Sequence, residues 1–191
     1  MNRVVITGIG IISCLGNNKN EVLASLLGSK SGLTLNPEYK ENGMRCHISG
    51  QVNPNLDVID RKMLRFMSET SAYAFLSTEE ALADSGLGIE DINNDTTGVI
   101  VGSGTGSSRE LKNVVDTARE KGIKRVGPYA VTRTMGNTTS AAISTFFQTK
   151  GVSFSIASAC STSLHCISYA FDLIKSGRQK TVIAGGSEDD H

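Results

Sequence analysis

The chain has 191 residues, 39% apolar and 20% charged, with 19 basic side chains against 19 acidic ones. That is enough chain to bury a sizeable core, and it fits a single domain. The balanced charge gives no sequence-wide support to nucleic-acid or membrane-surface binding, and no apolar run approaches the length of a membrane span.

In chain order, residues 3–7 (Arg-Val-Val-Ile-Thr) read as a first buried strand. Arg3, the run from Val4 to Ile12 and then Ser13-Cys14 also imitate a lipoprotein signal with its acceptor cysteine. Thr7, Gly8 and Gly10 interrupt that short apolar core, so the strand reading is preferred. A helix follows at 20–27, a strand at 46–52, and a loop bearing Pro and Asp at 53–60. A long helix at 63–85 is ended by Gly86. The strand at 98–102 leads into 109–128, which begins helical and then carries a basic cluster at Lys121, Lys124 and Arg125. A helix at 138–149, a strand at 153–157, a helix at 160–175 closed by Gly177, and a strand at 181–184 complete the order. Strands spaced by helices predict an α/β domain with a mostly parallel, five-stranded sheet flanked by helices. The chain stops in the loop after that last strand, where such sheets place their working loops. This suggests a piece of a longer protein.

The most informative stretch is Ser158-Ala159-Cys160-Ser161-Thr162-Ser163, at the junction of a strand and a helix. Upstream, residues 152–157 alternate apolar and polar. Downstream, Leu164, Ile167, Phe171 and Ile174 form a helical apolar stripe. A cysteine there lies beside unpaired backbone N–H groups and the positive end of a helix dipole, a setting that suits a nucleophile which is acylated and then gives up its acyl group. The plainer alternative is a small buried cysteine packed among small residues. The four cysteines (Cys14, Cys46, Cys160, Cys166) show no paired metal-ligand spacing, and Cys160 and Cys166 are separated by about 9 Å of helical rise, too far for a disulfide. A reducing cytoplasm is the simplest setting.

Other motifs carry less. Gly8-Ile9-Gly10-Ile11-Ile12-Ser13 and Gly102-Ser103-Gly104-Thr105-Gly106-Ser107 both lack the third glycine of a dinucleotide fingerprint, and the second lacks the Gly-Lys-Ser/Thr ending of a phosphate loop. None of the four tyrosines is followed by lysine at the dehydrogenase spacing. His165 is the nearest candidate base for Cys160, but five helical positions rotate it by about 140°, so the two point apart. His47 has no evident partner. His191, after Glu188-Asp189-Asp190, mimics a metal cluster but reads as a solvated chain end.

Together these residues resemble the elongating β-ketoacyl-[acyl carrier protein] synthases, most closely type I. The resemblance runs through Val4-Val5-Ile6-Thr7-Gly8-Ile9-Gly10, Ile59-Asp60-Arg61-Lys62, Arg65-Phe66-Met67-Ser68, Gly102-Ser103-Gly104, Val126-Gly127-Pro128-Tyr129 and Met135. It ends with Ser158-Ala159-Cys160-Ser161-Thr162-Ser163 and Ala184-Gly185-Gly186-Ser187-Glu188. Gly43-Met44-Arg45 and Tyr73-Ala74-Phe75-Leu76-Ser77 tilt it towards type I over type II.

The resemblance implies a thiolase-like fold with αβαβα layers in the complete enzyme. Residues 1–191 would form the N-terminal half, and the C-terminal half is absent. It implies that Cys160 is the acyl-accepting nucleophile, its own N–H forming half of an oxyanion hole, and that acyl transfer is followed by decarboxylative condensation with malonyl carrier protein. No metal or organic cofactor is expected, since phosphopantetheine arrives with the substrate. Two histidines, a lysine and a phenylalanine complete the family's site from the missing half, so this chain alone is expected to be inactive. Gly104 and Thr105 would line the acyl pocket. Met135 and Asn137 would lie near the subunit contact of a cytoplasmic homodimer, although Asn137 also reads as a helix cap. Arg61, Lys62, Arg65, Lys121 and Lys124 would dock the acidic carrier protein, their plainer reading being a solvated surface. A type II or polyketide-type condensing enzyme, or a half that docks carrier protein without chemistry, are the alternatives. A lone half is further expected to expose an apolar sheet face and to self-associate.

Overall fold

The computed structural model describes residues 2–189. The elements run α1 (Lys19–Leu27), β1 (Thr34–Leu35), α2 (Pro37–Glu41), β2 (Ile48–Ser49), α3 (Arg61–Leu64), α4 (Glu69–Ser85), α5 (Ile89–Ile92) and β3 (Thr97–Gly102). They continue with α6 (Ser108–Lys121), α7 (Ala130–Thr134), α8 (Thr138–Phe146), β4 (Ser153–Phe154), α9 (Thr162–Lys175) and β5 (Thr181–Gly186). Short 3-10 turns lie at Leu56–Val58, Ile123–Arg125 and Ala159–Ser161. Among the described residues no helix is long and apolar enough to cross a membrane.

β3 is buried along its whole length, as a β-branched run without alternation requires of a central parallel strand. It pairs in parallel with β4 on one side and β5 on the other. Val99 and Val101 face α4 and α8, packing with Phe75, Ile143 and Phe147. Ile100 faces the opposite way, onto Cys166, Ala170 and Leu173 of α9. The sheet is thus covered on both faces, and the C-terminal ends of all three strands open onto one edge.

The expected five-stranded sheet is a three-stranded parallel sheet, with β1 and β2 forming a separate antiparallel pair. Residues 3–7 are not a buried strand: they join no ladder, and Val5 and Ile6 are 57% and 78% exposed. The chain on either side of them is tied elsewhere. The Asn2 N–H donates to the Lys175 carbonyl at 3.2 Å. The Ile9 N–H donates to the Asp84 carboxylate at 3.0 Å and the Ile11 N–H to the Glu80 carboxylate at 2.9 Å, both on α4. Lys19 pairs with Asp84, and its ammonium, more than the Ile9 N–H, holds that carboxyl below its usual range. A segment held through side chains has the propensity for a strand but no ladder to join.

The strand expected over 46–52 is reduced to β2, and that over 153–157 to β4. β4 ends early because the next rung is filled by side chains: the Val101 carbonyl accepts from Ser155 Oγ at 2.7 Å and Thr139 Oγ1 at 2.9 Å. The helix expected over 63–85 is two helices. The chain leaves the first after Arg65 and restarts at Ser68, whose Oγ accepts from the Ser71 N–H at 3.3 Å as an N-cap. Gly86, at φ 73°, ends α4 as expected.

α9 reverses the expected phase. Its buried side is Thr162, Cys166, Ala170 and Leu173, whereas Leu164, Ile167 and Phe171 of the predicted stripe face outwards. Small side chains at 166 and 170 let the helix sit close on the sheet. The outer side of α9 therefore carries exposed apolar side chains, as do α1 (Leu23, Leu26, Leu27) and the β1–β2 pair (Leu35, Ile48).

Candidate active site

Three loops meet at the C-terminal edge of the sheet: residues 103–107 after β3, 155–161 after β4 and 187–189 after β5. Parallel α/β sheets place ligands at this edge. Two glycines bring the loops together. A Cβ on Gly102 would lie 2.0 Å from the Ile156 carbonyl oxygen and 2.7 Å from Thr162 Cγ2, so the start of α9 approaches β3 only because that position has no side chain. A Cβ on Gly104 would lie 3.0 Å from Ala159 Cα, which puts the Gly104-Thr105 turn directly against the residue preceding Cys160.

The chain enters α9 through a sharp elbow. Ala159 adopts φ 50°, a left-handed conformation costly for a residue with a Cβ. Thr162 Oγ1 accepts from the Ser158 N–H at 2.9 Å, and the Ser158 carbonyl accepts from the Ser161 N–H at 3.1 Å, closing the turn. Cys160 sits at its apex, in the 3-10 turn, and is exposed. Among the described residues no side chain caps the N-terminus of α9; the Ser161 and Thr162 N–H groups donate to the Ser158 and Ala159 carbonyls inside the elbow.

His165 engages the elbow: its Nδ1 lies 2.6 Å from Ser158 Oγ. Cys166 is the opposite of Cys160. It is fully buried between α9 and β3, and burial pushes its thiol up, offset in part by hydrogen bonding from the Ile156 and Gly102 backbone. All four cysteines are free. Asn137 stands at the N-cap position of α8, but its side chain makes no capping bond.

Glu188 carried no role in the sequence reading. Its carboxylate accepts from Ser103 Oγ at 2.8 Å, from the Gly104 N–H, and from Thr105 Oγ1 at 3.4 Å. No local pattern signals this contact, because it joins residues more than eighty positions apart. Among the described residues no cluster of His, Cys, Asp and Glu could hold a metal ion; His191 and Asp190 lie outside those residues.

The expected docking residues are all exposed. Arg61 and Lys62 lie on α3, and Arg65 follows it in helical conformation. Lys121 ends α6, and Lys124 is in the next 3-10 turn. The rings of Phe66, next to Arg65, and Tyr129 meet 4.9 Å apart and edge to face. None of the five cations pairs with a carboxylate of the described residues, whereas Lys19, Arg109, Lys112 and Arg133 all do.

The fold and the site define an α/β domain built around a cysteine at a strained strand-to-helix elbow. Residues 1–190 match the family described as Beta-ketoacyl synthase, N-terminal domain, and the chain belongs to that family. The 3-oxoacyl-[acyl-carrier-protein] synthase 1 of Haemophilus influenzae is 49% identical over 192 residues, covering 99% of this chain and 47% of the relative. A crystal structure of a beta-ketoacyl synthase from Burkholderia phymatum superposes with a TM-score of 0.86 at 30% identity, covering all of this chain and 48% of that one. A type II polyketide ketosynthase, solved as the AntDE:AntF complex with its acyl-carrier protein, superposes with a TM-score of 0.76 at 20% identity, covering 97% of this chain and 50% of that one. The chain therefore spans about half the length of the curated relatives it matches, and its architecture is the N-terminal half of the thiolase-like ketosynthase fold.

Proposed function

We propose that this chain is the nucleophile-bearing half of a type I 3-oxoacyl-[acyl carrier protein] synthase of fatty-acid elongation. The observation that carries this reading is the exposed Cys160 on a left-handed elbow, with the Gly104-Thr105 turn against it and an uncapped helix start behind it. The Cys160 thiolate attacks the carbonyl carbon of an acyl thioester on carrier protein. The bond to the carrier sulfur breaks and the carrier thiol leaves. Malonyl carrier protein then loses carbon dioxide, and its carbanion attacks the Cys160 thioester. A carbon–carbon bond forms and Cys160 leaves, giving a β-ketoacyl chain two carbons longer. Charge developing on the thioester oxygen is held by backbone N–H groups, that of Cys160 among them.

The reaction needs no metal or organic cofactor, because the reactive arm travels with the substrate. The histidines, lysine and phenylalanine expected from the C-terminal half are not among these residues, so decarboxylation and condensation require that half. Carrier protein docks on the unpaired cations Arg61, Lys62, Arg65, Lys121 and Lys124, with exposed Val58 and Ile123 (65% and 76%) offering apolar contact beside them. The names of the relatives, and the complex formed by the polyketide ketosynthase, support carrier protein as the partner. The complete protein is a cytoplasmic homodimer.

The test is an intact mass of the 191-residue chain after incubation with a medium-chain acyl carrier protein, beside a Cys160→Ser control. An added acyl mass absent from the control supports the nucleophile assignment. No added mass on folded protein places the first step, too, in need of the other half.

A further inference from the structure

The loop after β5 does more than end a strand. Gly102 and Gly186 are register partners in β3 and β5, and the Ser187 N–H donates to the Gly102 carbonyl at 3.0 Å, so the two loops leave the sheet together. One residue further on, Glu188 turns back across the edge. Its carboxylate takes three successive donors of the neighbouring loop: Ser103 Oγ, the Gly104 N–H and Thr105 Oγ1. Ser103 is itself 2% exposed, and its Oγ accepts from the Gly106 N–H at 2.9 Å, so the turn is closed from inside and held from outside. The far side of Gly104 faces Ala159: a Cβ there would stand 3.0 Å from Ala159 Cα and 3.2 Å from Glu188 Oε1. Gly104 is gripped between the carboxylate of Glu188 and the strained residue that carries Cys160.

We propose that Glu188 is a positioning residue that fixes the Gly104-Thr105 turn against the Cys160 elbow, and so sets which acyl chains reach the sulfur. The inference rests on the acyl-transfer reading of Cys160 and names the residue that shapes the acyl side of that site. A carboxylate receiving a backbone N–H and two hydroxyls holds a turn more firmly than neutral acceptors do. Without it, the turn keeps the Thr70 hydroxyl on the Gly106 carbonyl and the Ser107–Asp189 contact at its far end, but nothing among the described residues holds Gly104 and Thr105 themselves. Glutamine keeps an acceptor for the Gly104 N–H; alanine keeps none.

The test needs no carrier protein, so its failure is distinct from failure of the acyl-transfer reading. The 191-residue chain, its Glu188→Ala and Glu188→Gln variants, and a Ser103→Ala variant are labelled with N-ethylmaleimide and N-octylmaleimide. Rates at Cys160 and at the exposed Cys46 are read separately by peptide mass spectrometry. The octyl-to-ethyl rate ratio at Cys160 is expected to differ from that at Cys46 in the wild-type chain. In Glu188→Ala it moves about ten-fold towards the Cys46 value, the order of effect of one charge-assisted hydrogen bond. Glu188→Gln restores most of the wild-type ratio, and Ser103→Ala gives a smaller shift of the same sign. A wild-type ratio equal to that of Cys46 overturns the proposal, as does a ratio unchanged in folded Glu188→Ala. If that variant does not fold, an unchanged ratio in folded Ser103→Ala overturns it equally.

Discussion

Cys160 and Cys166 lie six residues apart on one stretch of chain that turns from elbow into helix, and the fold treats them as opposites. Cys160 sits exposed at the apex of a turn held in a left-handed conformation by Ala159. Cys166 is wholly enclosed against β3, where burial raises its thiol. What separates them is the phase of α9: one turn and a half further along, the same residue type faces the sheet instead of the edge where the strands end. Chemistry at a thiol needs access and nearby N–H groups; packing needs a small apolar volume, which a thiol also supplies. The largest consequence is kinetic. Iodoacetamide should label Cys160 on the order of 10³-fold faster than Cys166, which reacts only through local opening. Comparable rates, read by peptide mass spectrometry, would break the contrast.

The same contrast should invert in stability. Cys166→Ser buries a hydroxyl in an apolar setting and should cost about 2 kcal/mol in urea unfolding. Cys160→Ser, at an exposed site, should cost about 0.5 kcal/mol or less. Cys166 also brings a pH dependence. Below the ordinary thiol value of 9.0, Cys166 is protonated in folded and unfolded chains alike. Above it the unfolded chain releases the proton first and binds fewer protons than the folded one, so stability falls as pH rises. The contribution is fully present below 9.0 and is lost as pH climbs towards the raised folded value. Subtracting the Cys166→Ser profile from that of the wild-type chain should isolate this alkaline loss; identical slopes would remove burial as the cause.

The sequence carried the period of α9 but not its phase. Leu164, Ile167, Phe171 and Ile174 are spaced for a buried stripe, and so are Thr162, Cys166, Ala170 and Leu173. Bulk favoured the first set, close approach to β3 selected the second, and only the tertiary contact decides. The elbow was legible because a period-2 run meets a helical one at Cys160, and β3 because its apolar run has no alternation. Residues 3–7 misled because β-branched residues signal propensity without naming a partner edge. Glu188 and the Ser158–His165 contact were illegible because long-range hydrogen bonds leave no local pattern. The basic residues were legible one by one; the edge-to-face contact of Phe66, beside Arg65, with Tyr129 was not.

The outward side of α9 gives the next test. Leu164, Ile167 and Phe171 are 69%, 45% and 43% exposed, and apolar side chains grouped on one helix face favour association. The 191-residue chain should self-associate in sedimentation velocity, and Leu164→Glu should weaken that association by about ten-fold, since burying a leucine contributes roughly 1.5–3 kcal/mol. A chain that stays monomeric up to its solubility limit would mean that this face, like the Cys160 end, is exposed without being sticky.

The smallest expected effect falls where neither access to sulfur nor core packing is involved. Lys62 is exposed on α3, its backbone N–H held by the Asp60 N-cap at 2.7 Å and its ammonium unpaired. Lys62→Glu should therefore leave unfolding within about 0.5 kcal/mol of wild type. If the patch meets acidic carrier protein, the same change in the full-length protein should weaken carrier affinity about five-fold at low ionic strength. The loss should shrink as salt rises, because exposed pairs are screened beyond a Debye length of about 10 Å at 0.1 M. The salt dependence is the decisive part. A loss that persists at high salt would point to damaged apolar packing near Phe66, and unchanged affinity at low salt would return these five cations to an ordinary solvated surface.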